Sequence, residues 1–334
     1  MTHLRRDFMS GAAGLTLLGA LSRRLGATTL FDPAEPALPL ADLIRTPLLV
    51  RSLYRLRVGD AFSPDGAAGA NQDGYKWIEE QRQGAEWIVR GIADAQPDWR
   101  AIGWRQLDWG LAHQTEDGDF GSRDPFHSTS FFVEALARAC LLDSETGMAR
   151  RTALGRAAHW LMSPAAEARG VPGNHPFTHR RYILAAAFGQ AAAVTGEARF
   201  AARARAWALE GLQLQRADGT NPERDGFDAG YQMVGVLMAL RYLPVCDDAT
   251  IRAALRRMVR SAVPPELARL QPDGAIDMSG STRIGRESGR TGQLKGVPYS
   301  EVVQALVYGA RALPQPSWLD PATRIARSRH WLRD

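Results

Sequence analysis

The sequence predicts a mainly α-helical fold, an α/α toroid in which helical hairpins form an incomplete (α/α)-barrel. Three observations support this fold class. Apolar residues recur at three- and four-residue steps along most of the chain, and alternating β-branched segments are scarce. Several of the helical segments are rich in alanine, so their small faces can be buried inside a ring. The same polar segment follows helix after helix, which is typical of repeated helix–turn–helix units.

The helical pattern predicts roughly ten to twelve helices. The clearest segments, in chain order, are YKWIEEQRQGAEWIVRGIADA, WRQLDWGLAHQ, STSFFVEALARACLL, RRTALGRAAHWLM, RYILAAAFGQAAAVTG, ARFAARARAWALEGLQLQ, GYQMVGVLMALRYL, TIRAALRRMVRSAV and YSEVVQALVYGARAL. An irregular helical bundle would satisfy the same periodicity. We favour the toroid because it gathers the long polar loops at one end, where they form a cleft.

The recurring polar segment consists of Gln, then Asp-Gly, then a loop. It occurs as QTEDGDFGS (114–122), QRADGTNPE (215–223) and QPDGAIDMS (271–279), with a partial copy near residue 71. Asp-Gly readily adopts the positive φ that ends a helix and turns the chain. Each copy is therefore expected to join one helix of the ring to the next.

The N-terminus resembles a twin-arginine export signal. Arg5 and Arg6 precede Phe8 and a short apolar segment, GAAGLTLLGAL, which is too short to span a bilayer. We predict a signal over residues 1–27 and one toroid domain over residues 28–334. The expected partner is the twin-arginine (Tat) export machinery, and the expected location is periplasmic or secreted. A basic amphipathic start is the alternative.

The remaining composition excludes some classes of partner. Residues 1–26 carry a net charge of +3 of the formal +5, which leaves only +2 and no indication of a nucleic-acid partner. No long apolar run predicts a membrane span in the mature chain. Two cysteines do not form a disulfide framework. Cys140 is expected to be a buried thiol, although an exported chain would permit a bridge to Cys246.

The segment of residues 170–245 resembles the alginate lyases that have an α/α toroid fold. It contains an Asn-His pair in GNHPFTHRRYILAAAF, a Gln–Asp-Gly loop, and then an arginine and a tyrosine seven residues apart. The matching residues are Asn174, His175, Arg224 and Tyr231. The resemblance implies that the pair opens an inner helix and that the enzyme acts on an acidic polysaccharide or oligosaccharide. The aromatic residues that follow Asn-His in the family are replaced here by PFT.

The implied reaction is β-elimination of a uronic-acid polymer. A base removes the C5 proton, and an acid protonates the leaving sugar oxygen. Asn174 and Arg224 would neutralise the uronate carboxylate so that charge can spread onto its oxygens. His175 and Tyr231 would be the base and the acid, in either order. The reaction requires no cofactor and no metal.

Tyr231 has a position that affects its acidity. Asp228 is a plausible N-cap of the helix that follows, which would place Tyr231 in the first turn. The positive end of the helix and a nearby Arg224 would both favour the phenolate. The sequence therefore predicts that Tyr231 could serve as a base.

Further side chains are candidates for binding the substrate. Trp104 and Trp109 could stack on sugar rings, although helical tryptophans are more often core residues. The glycine-rich segment GSTRIGRESGRTG could fold over an anionic chain. The candidate substrate-binding residues are Trp104, Gln106, Trp109, His113, His127, Glu223, Arg283 and Arg286.

Three alternatives remain open at this stage. His175 and His179 stand four residues apart, a spacing that two metal ligands on one helix share. A glycoside hydrolase on the same toroid would use two carboxyl groups, either Glu223 with Asp228 or Asp117 with Asp119. A non-catalytic carbohydrate-binding protein of the cell envelope would bind in the cleft without turnover.

Overall fold

A computed structural model describes residues 66–68, 78–289, 292–328 and 330. The predicted signal and its boundary at residue 27 lie outside these residues. The described part is helical and has no named strand, only isolated bridges. Its α-helices, in chain order, are α1 Gln83–Ala93, α2 Pro97–Leu111, α3 Pro125–Leu142, α4 Ser144–Gly147, α5 Arg151–Leu161, α6 Pro164–Asn174, α7 Thr178–Thr195, α8 Ala198–Leu214, α9 Tyr231–Tyr242, α10 Ala249–Leu267, α11 Tyr299–Ala312 and α12 Leu319–Ala326.

The helices form two layers, which confirms the predicted α/α toroid. The inner helices α1, α3, α7, α9 and α11 pack side by side in that order. The outer helices α2, α5, α8, α10 and α12 each pack against an inner helix next to them in sequence. The inner helices α7 and α9 are buried nearly all round, as the alanine-rich sequence of α7 predicts.

A buried polar cluster joins the inner helices to one another. Arg241 of α9 binds Glu134 of α3 at 3.2 Å and Gln304 of α11 at 2.7 Å. Arg138 of α3 binds Glu134 at 3.0 Å and Glu86 of α1 at 2.7 Å. Breaking a buried pair of this kind leaves an uncompensated charge, so the cluster fixes how the inner helices align.

The Gln–Asp-Gly segments join neighbouring outer helices. The side chain of Gln215 donates to the carbonyl of Met258 in α10 at 3.1 Å, and Gln114 does the same to Ala153 in α5 at 2.9 Å. The glycine of each segment has a positive φ and packs directly on the next outer helix or the turn that ends it. The repeat seen in the sequence is therefore a structural unit of the outer layer.

Two further expectations are settled by the described residues. Cys140 and Cys246 are both buried free thiols, so the optional bridge between them is absent. Among the helices that the structure describes, none is long and apolar enough to cross a membrane.

The contact of Gly219 with α10 can be tested by substitution. A Cβ at Gly219 would lie 2.0 Å from the carbonyl oxygen of Ser261, whereas a Cβ at Gly280 would meet nothing within 4 Å. Both glycines have positive φ, so Gly280→Ala should lower the free energy of unfolding by roughly 1–2 kcal/mol. Gly219→Ala should cost about 1–3 kcal/mol more because of the overlap. Urea unfolding followed by tryptophan fluorescence measures both, and equal losses would contradict the proposed contact.

Candidate functional site

Three side chains from the first turns of consecutive inner helices meet at one end of the toroid. His127 lies in α3, His179 in α7 and Tyr231 is the first residue of α9. The ring centroids of His179 and Tyr231 are 4.7 Å apart, and those of His179 and His127 are 6.4 Å apart at nearly a right angle. The fold thus aligns an imidazole between a second imidazole and a phenol.

Glu223 holds His179 in place. It belongs to the loop before α9, and Pro222 and Glu223 run beside the start of α7 through a bridge between Phe177 and Glu223. One carboxylate oxygen accepts the backbone N–H of His179 at 2.9 Å, and the other lies 2.8 Å from Nδ1 of the His179 ring. The side chains of Glu223 and His179 are 0% and 2% exposed. The orientation of His179 is therefore fixed from two sides.

The protonation states at this pair follow from burial. Burial, followed by the charges of Arg283 and Arg180, holds the pKa of His179 well below its usual value. Burial raises the pKa of Glu223 to about 7, although the His179 N–H and Arg283 act in the opposite direction. Above that pH the ionised Glu223 accepts the Nδ1 proton of neutral His179. The Nε2 atom is then left without a proton and can act as a base.

His127 is a second neutral imidazole. Burial, followed by the charges of Arg180 and His179, lowers its pKa well below the usual value. Its Nδ1 atom is buried and has no hydrogen-bond partner among the described residues. The ring packs edge-on against Phe131 of the same helix at 4.9 Å. His127 was predicted as a substrate-binding residue, and the structure places its ring beside that of His179.

The expected activation of Tyr231 as a phenolate is wrong. The N-cap is Gly230 rather than the expected Asp228, although the Asp228 carboxylate accepts the N–H of Tyr231 at 3.1 Å. Burial nevertheless raises the pKa of the phenol, and the opposing charge of Arg283 does not reverse this. The guanidinium over the ring, 3.8 Å from its centroid, belongs to Arg283 rather than Arg224. Tyr231 is thus a protonated donor near neutral pH.

Four cations surround these residues. Arg180, Arg224 and Arg283 all lie over the ring of Phe177, at 4.7, 5.4 and 4.2 Å from its centroid. Lys295 lies 5.6 Å from the ring centroid of Tyr231. Their ion-pair partners are the carboxylates of Asp124, Glu223 and Glu287. The carboxylates of Glu79 and Asp228 also act on this cluster.

The Asn174–His175 pair occupies a different place from the one expected. Asn174 is the last residue of α6 and His175 follows as its C-cap, so the pair does not open the inner helix, which begins at Thr178. The His175 ring is exposed and makes no hydrogen bond or ion pair within the described residues. Asn174 is buried, and its side-chain oxygen accepts a hydrogen bond from Arg180 at 2.7 Å. Only Asn174 is thereby connected to the site.

The predicted residues near the first Gln–Asp-Gly segment lie in the outer helix α2, except His113, which lies in the turn after it. Trp104 is buried and donates its indole N–H to Asp143 at 2.8 Å. Gln106 is also buried, between α2 and α1. Trp109 packs on His113, with ring centroids 4.1 Å apart. The structure does not bring these four side chains to the imidazole–phenol cluster.

The loop between α10 and α11 contributes only part of its predicted set. Arg283 is buried and binds Glu223 at 3.2 Å, and Asp228 fixes its backbone by accepting the N–H groups of Arg283 and Ile284. Arg286 is exposed. The described residues hold no group of three or more His, Cys, Asp and Glu side chains that could bind a metal.

Four members of the site were not predicted from the sequence, namely His179 as a site residue, Arg180, Glu287 and Lys295. His179 had been considered only as a metal ligand. The sequence feature that could have indicated His179 is Pro176. It separates the Asn-His pair from the alanine-rich helix, which begins at Thr178. Glu287 and Lys295 lie in a loop whose path no periodicity predicts.

Comparisons with known proteins support the fold. No family model and no curated sequence match the chain. A solved structure of a D-mannose isomerase is similar with a TM-score of 0.51 and 12% identity, over 86% of each chain. The Lin0763 protein from Listeria innocua matches with a TM-score of 0.48 and 12% identity, over 84% of this chain and 86% of that one. An ent-copalyl diphosphate synthase from Streptomyces platensis gives 0.46 and 15%, over 82% and 50%.

At such low identity the likeness to the isomerase shows a shared helical fold alone. The resemblance to alginate lyases therefore stays a prediction from the sequence.

Proposed function

We propose that this chain is an enzyme that cleaves a uronic-acid-containing polysaccharide by β-elimination. The observation that carries the proposal is the 4.7 Å contact between neutral His179 and protonated Tyr231 inside a cluster of four cations. A proton acceptor, a proton donor and groups that neutralise a carboxylate are the three requirements of this reaction. The similar fold of a protein described as a D-mannose isomerase supports the broader proposal of a sugar-acting enzyme.

The chemistry assigns one role to each side chain. Nε2 of His179 takes the C5 proton of the uronate, and the electrons of that bond form the C4–C5 double bond. The bond between C4 and its bridging oxygen breaks, and the hydroxyl of Tyr231 protonates that oxygen. The proton on His179 is then lost to water or returned to Tyr231. The raised pKa keeps Tyr231 protonated so that it has a proton to donate, and the lowered pKa keeps His179 unprotonated so that it can accept one.

Glu223 and the cations support this proton transfer without reacting. The ionised Glu223 keeps the proton of His179 on Nδ1, as an acidic partner does for the histidine of other acid–base enzymes. Arg283 and Lys295, beside the Tyr231 ring, would stabilise the negative charge that develops on the substrate carboxylate. Arg180, with Asn174 bound to it, is a further candidate for holding that carboxylate.

A second candidate function is isomerisation of a sugar. It begins in the same way, with removal of a proton next to a carbonyl group, but a second group then returns a proton to the neighbouring carbon. The paired neutral imidazoles of His127 and His179 favour it, since one could remove the proton and the other could shuttle it. Elimination creates a conjugated double bond that absorbs ultraviolet light, whereas isomerisation only changes the reducing sugar.

The hydrolase alternative has less support. Asp228 accepts backbone N–H groups of Tyr231, Arg283 and Ile284 with its two oxygens, which occupies it structurally. Asp119 accepts the N–H of Phe120, and Asp117 is an exposed turn residue. A non-catalytic carbohydrate-binding protein would need no neutral base, so the buried His179–Glu223 pair argues against it.

The proposed roles predict that substitutions of His179 and Tyr231 lower the rate of elimination, whereas a substitution of His175 does not. His179→Ala and Tyr231→Phe should each lower the rate of elimination by roughly 10²–10⁴-fold, because each removes one proton-transfer group. His175→Ala is the matched control, since its exposed ring makes no hydrogen bond or ion pair within the described residues, and it should leave the rate nearly unchanged. The assay follows ultraviolet absorbance with polymers of mannuronate, guluronate, glucuronate and galacturonate. Loss of activity in His175→Ala with retention in His179→Ala would contradict the assignment.

We also propose that the chain is exported through the twin-arginine machinery to the periplasm or beyond. The support is the Arg5–Arg6 pair before a short apolar segment. A reporter fused to residues 1–27 should be exported, and the double substitution Arg5→Lys with Arg6→Lys should abolish export. Export of the doubly substituted fusion at the original level would contradict this proposal.

A further inference from the structure

The carboxylate of Glu287 gathers three of the four cations at the site. Its Oε2 atom lies 2.7 Å from Nζ of Lys295 and 3.1 Å from Nε of Arg283, and its Oε1 atom lies 2.5 Å from Nε of Arg224. Arg224 comes from the loop before α9, whereas Arg283 and Lys295 come from the loop before α11. One side-chain carboxylate therefore joins two loops through three separate ion pairs.

These cations are the ones that lie next to the candidate proton donor. Arg283 covers the face of Tyr231, and Lys295 lies near the same ring. The Glu287 carboxylate thus lies between these cations, in the position that the negative group of a ligand would be expected to take. Its pKa is lowered to about 2, since the hydrogen bonds and charges of Lys295 and Arg283 outweigh the effect of burial.

The backbone holds Glu287 in this position. Its N–H donates to the carbonyl of Arg283 at 2.8 Å, and its carbonyl accepts the N–H of Lys295 at 2.9 Å. The side chain is only 20% exposed, while that of Arg224 is 57% exposed. A ligand arriving from solvent would therefore meet Arg224 first and Glu287 behind it.

We propose that Arg224, Arg283 and Lys295 form a carboxylate-binding site that Glu287 fills until the uronate group of a substrate displaces it. This inference rests on the proposed function, since it names the groups that bind the substrate's carboxylate. Replacing one carboxylate by another leaves the cations paired, so the exchange avoids leaving charge uncompensated. A neutral sugar offers no such replacement, and the internal carboxylate therefore selects for acidic ligands.

The opposite role for Glu287 would be to position the cations for a ligand that binds elsewhere. The two roles give opposite results when the charge is removed. Glu287→Gln keeps the shape of the side chain but removes the charge that pairs with the three cations, which lowers the penalty that self-occupation places on binding. If Glu287 were instead a support, the same substitution would scatter the cations and weaken binding.

The experiment measures binding of glucuronate and of glucose by calorimetry to the full chain. Glu287→Gln should tighten glucuronate binding by about tenfold and leave glucose unchanged. Glu197→Gln is the matched control, because it removes the same charge from a surface pair with Arg199, and it should behave as the wild type. Lys295→Met should weaken glucuronate binding both in the wild-type chain and in the chain that carries Glu287→Gln.

Three outcomes overturn the inference: binding that Glu287→Gln weakens, binding that it changes no more than Glu197→Gln does, and no glucuronate binding to either form. The test is independent of turnover. If no polymer is cleaved but Glu287→Gln tightens glucuronate binding, the proposed carboxylate site is supported and the proposed elimination reaction is contradicted. If polymers are cleaved but Glu287→Gln binds like the control, only the present inference falls.

Discussion

The arrangement of the site depends on one buried carboxylate, that of Glu223. It accepts hydrogen bonds from the backbone and the ring of His179 at the start of α7, and it binds Arg283 from the loop before α11. Its backbone carbonyl accepts the hydroxyl of Thr282 at 2.6 Å. Three parts of the toroid are thus tied to one residue. A buried carboxylate is tolerable only when its oxygens are hydrogen-bonded, and both oxygens of Glu223 have partners.

The same carboxylate explains the chemistry expected at the site. Burial keeps His179 neutral. Glu223, within hydrogen-bonding distance of Nδ1, leaves the other ring nitrogen unprotonated. Because Arg283 is shared between Glu223 and Glu287, its guanidinium is fixed over the Tyr231 ring. Tyr231, His179 and the cations are therefore held in place by these contacts, and the proposed reaction would require little reorganisation of them.

The fold could be predicted from the sequence because its determinants are local and repeated. Apolar spacing gave the helices, and the Gln–Asp-Gly segments marked their ends, as the packing of Gly219 on α10 shows. The helix α6 was not predicted, since Gly170, Pro172 and Gly173 all disfavour a helix interior. Tertiary packing overrides this preference: Gly170 lies so close to Phe126 that an added Cβ would be 2.1 Å from its ring.

The site was less predictable, because its residues are adjacent only in space. Arg224, Glu223, Arg283 and Tyr231 were recognised as candidates, and all four lie in one cluster. His175 was predicted from the resemblance of the Asn-His pair to the lyase family, but it follows the end of α6, whereas His179 lies in the first turn of α7. The acidity of Tyr231 was misjudged, since the sequence indicates the helix end but not the depth of burial that raises its pKa.

The central claim is that Glu223 keeps the proton of neutral His179 on Nδ1. Nitrogen NMR of isotope-labelled histidine measures which ring nitrogen carries the proton. The His179 signals are assigned by comparison with His179→Asn. Well above pH 7, Nδ1 should be protonated and Nε2 unprotonated. Because burial raises the pKa of Glu223 to about 7, lowering the pH through that value should protonate the carboxyl and end this tautomer. A proton on Nε2, or an imidazolium ion, at the higher pH would contradict the account.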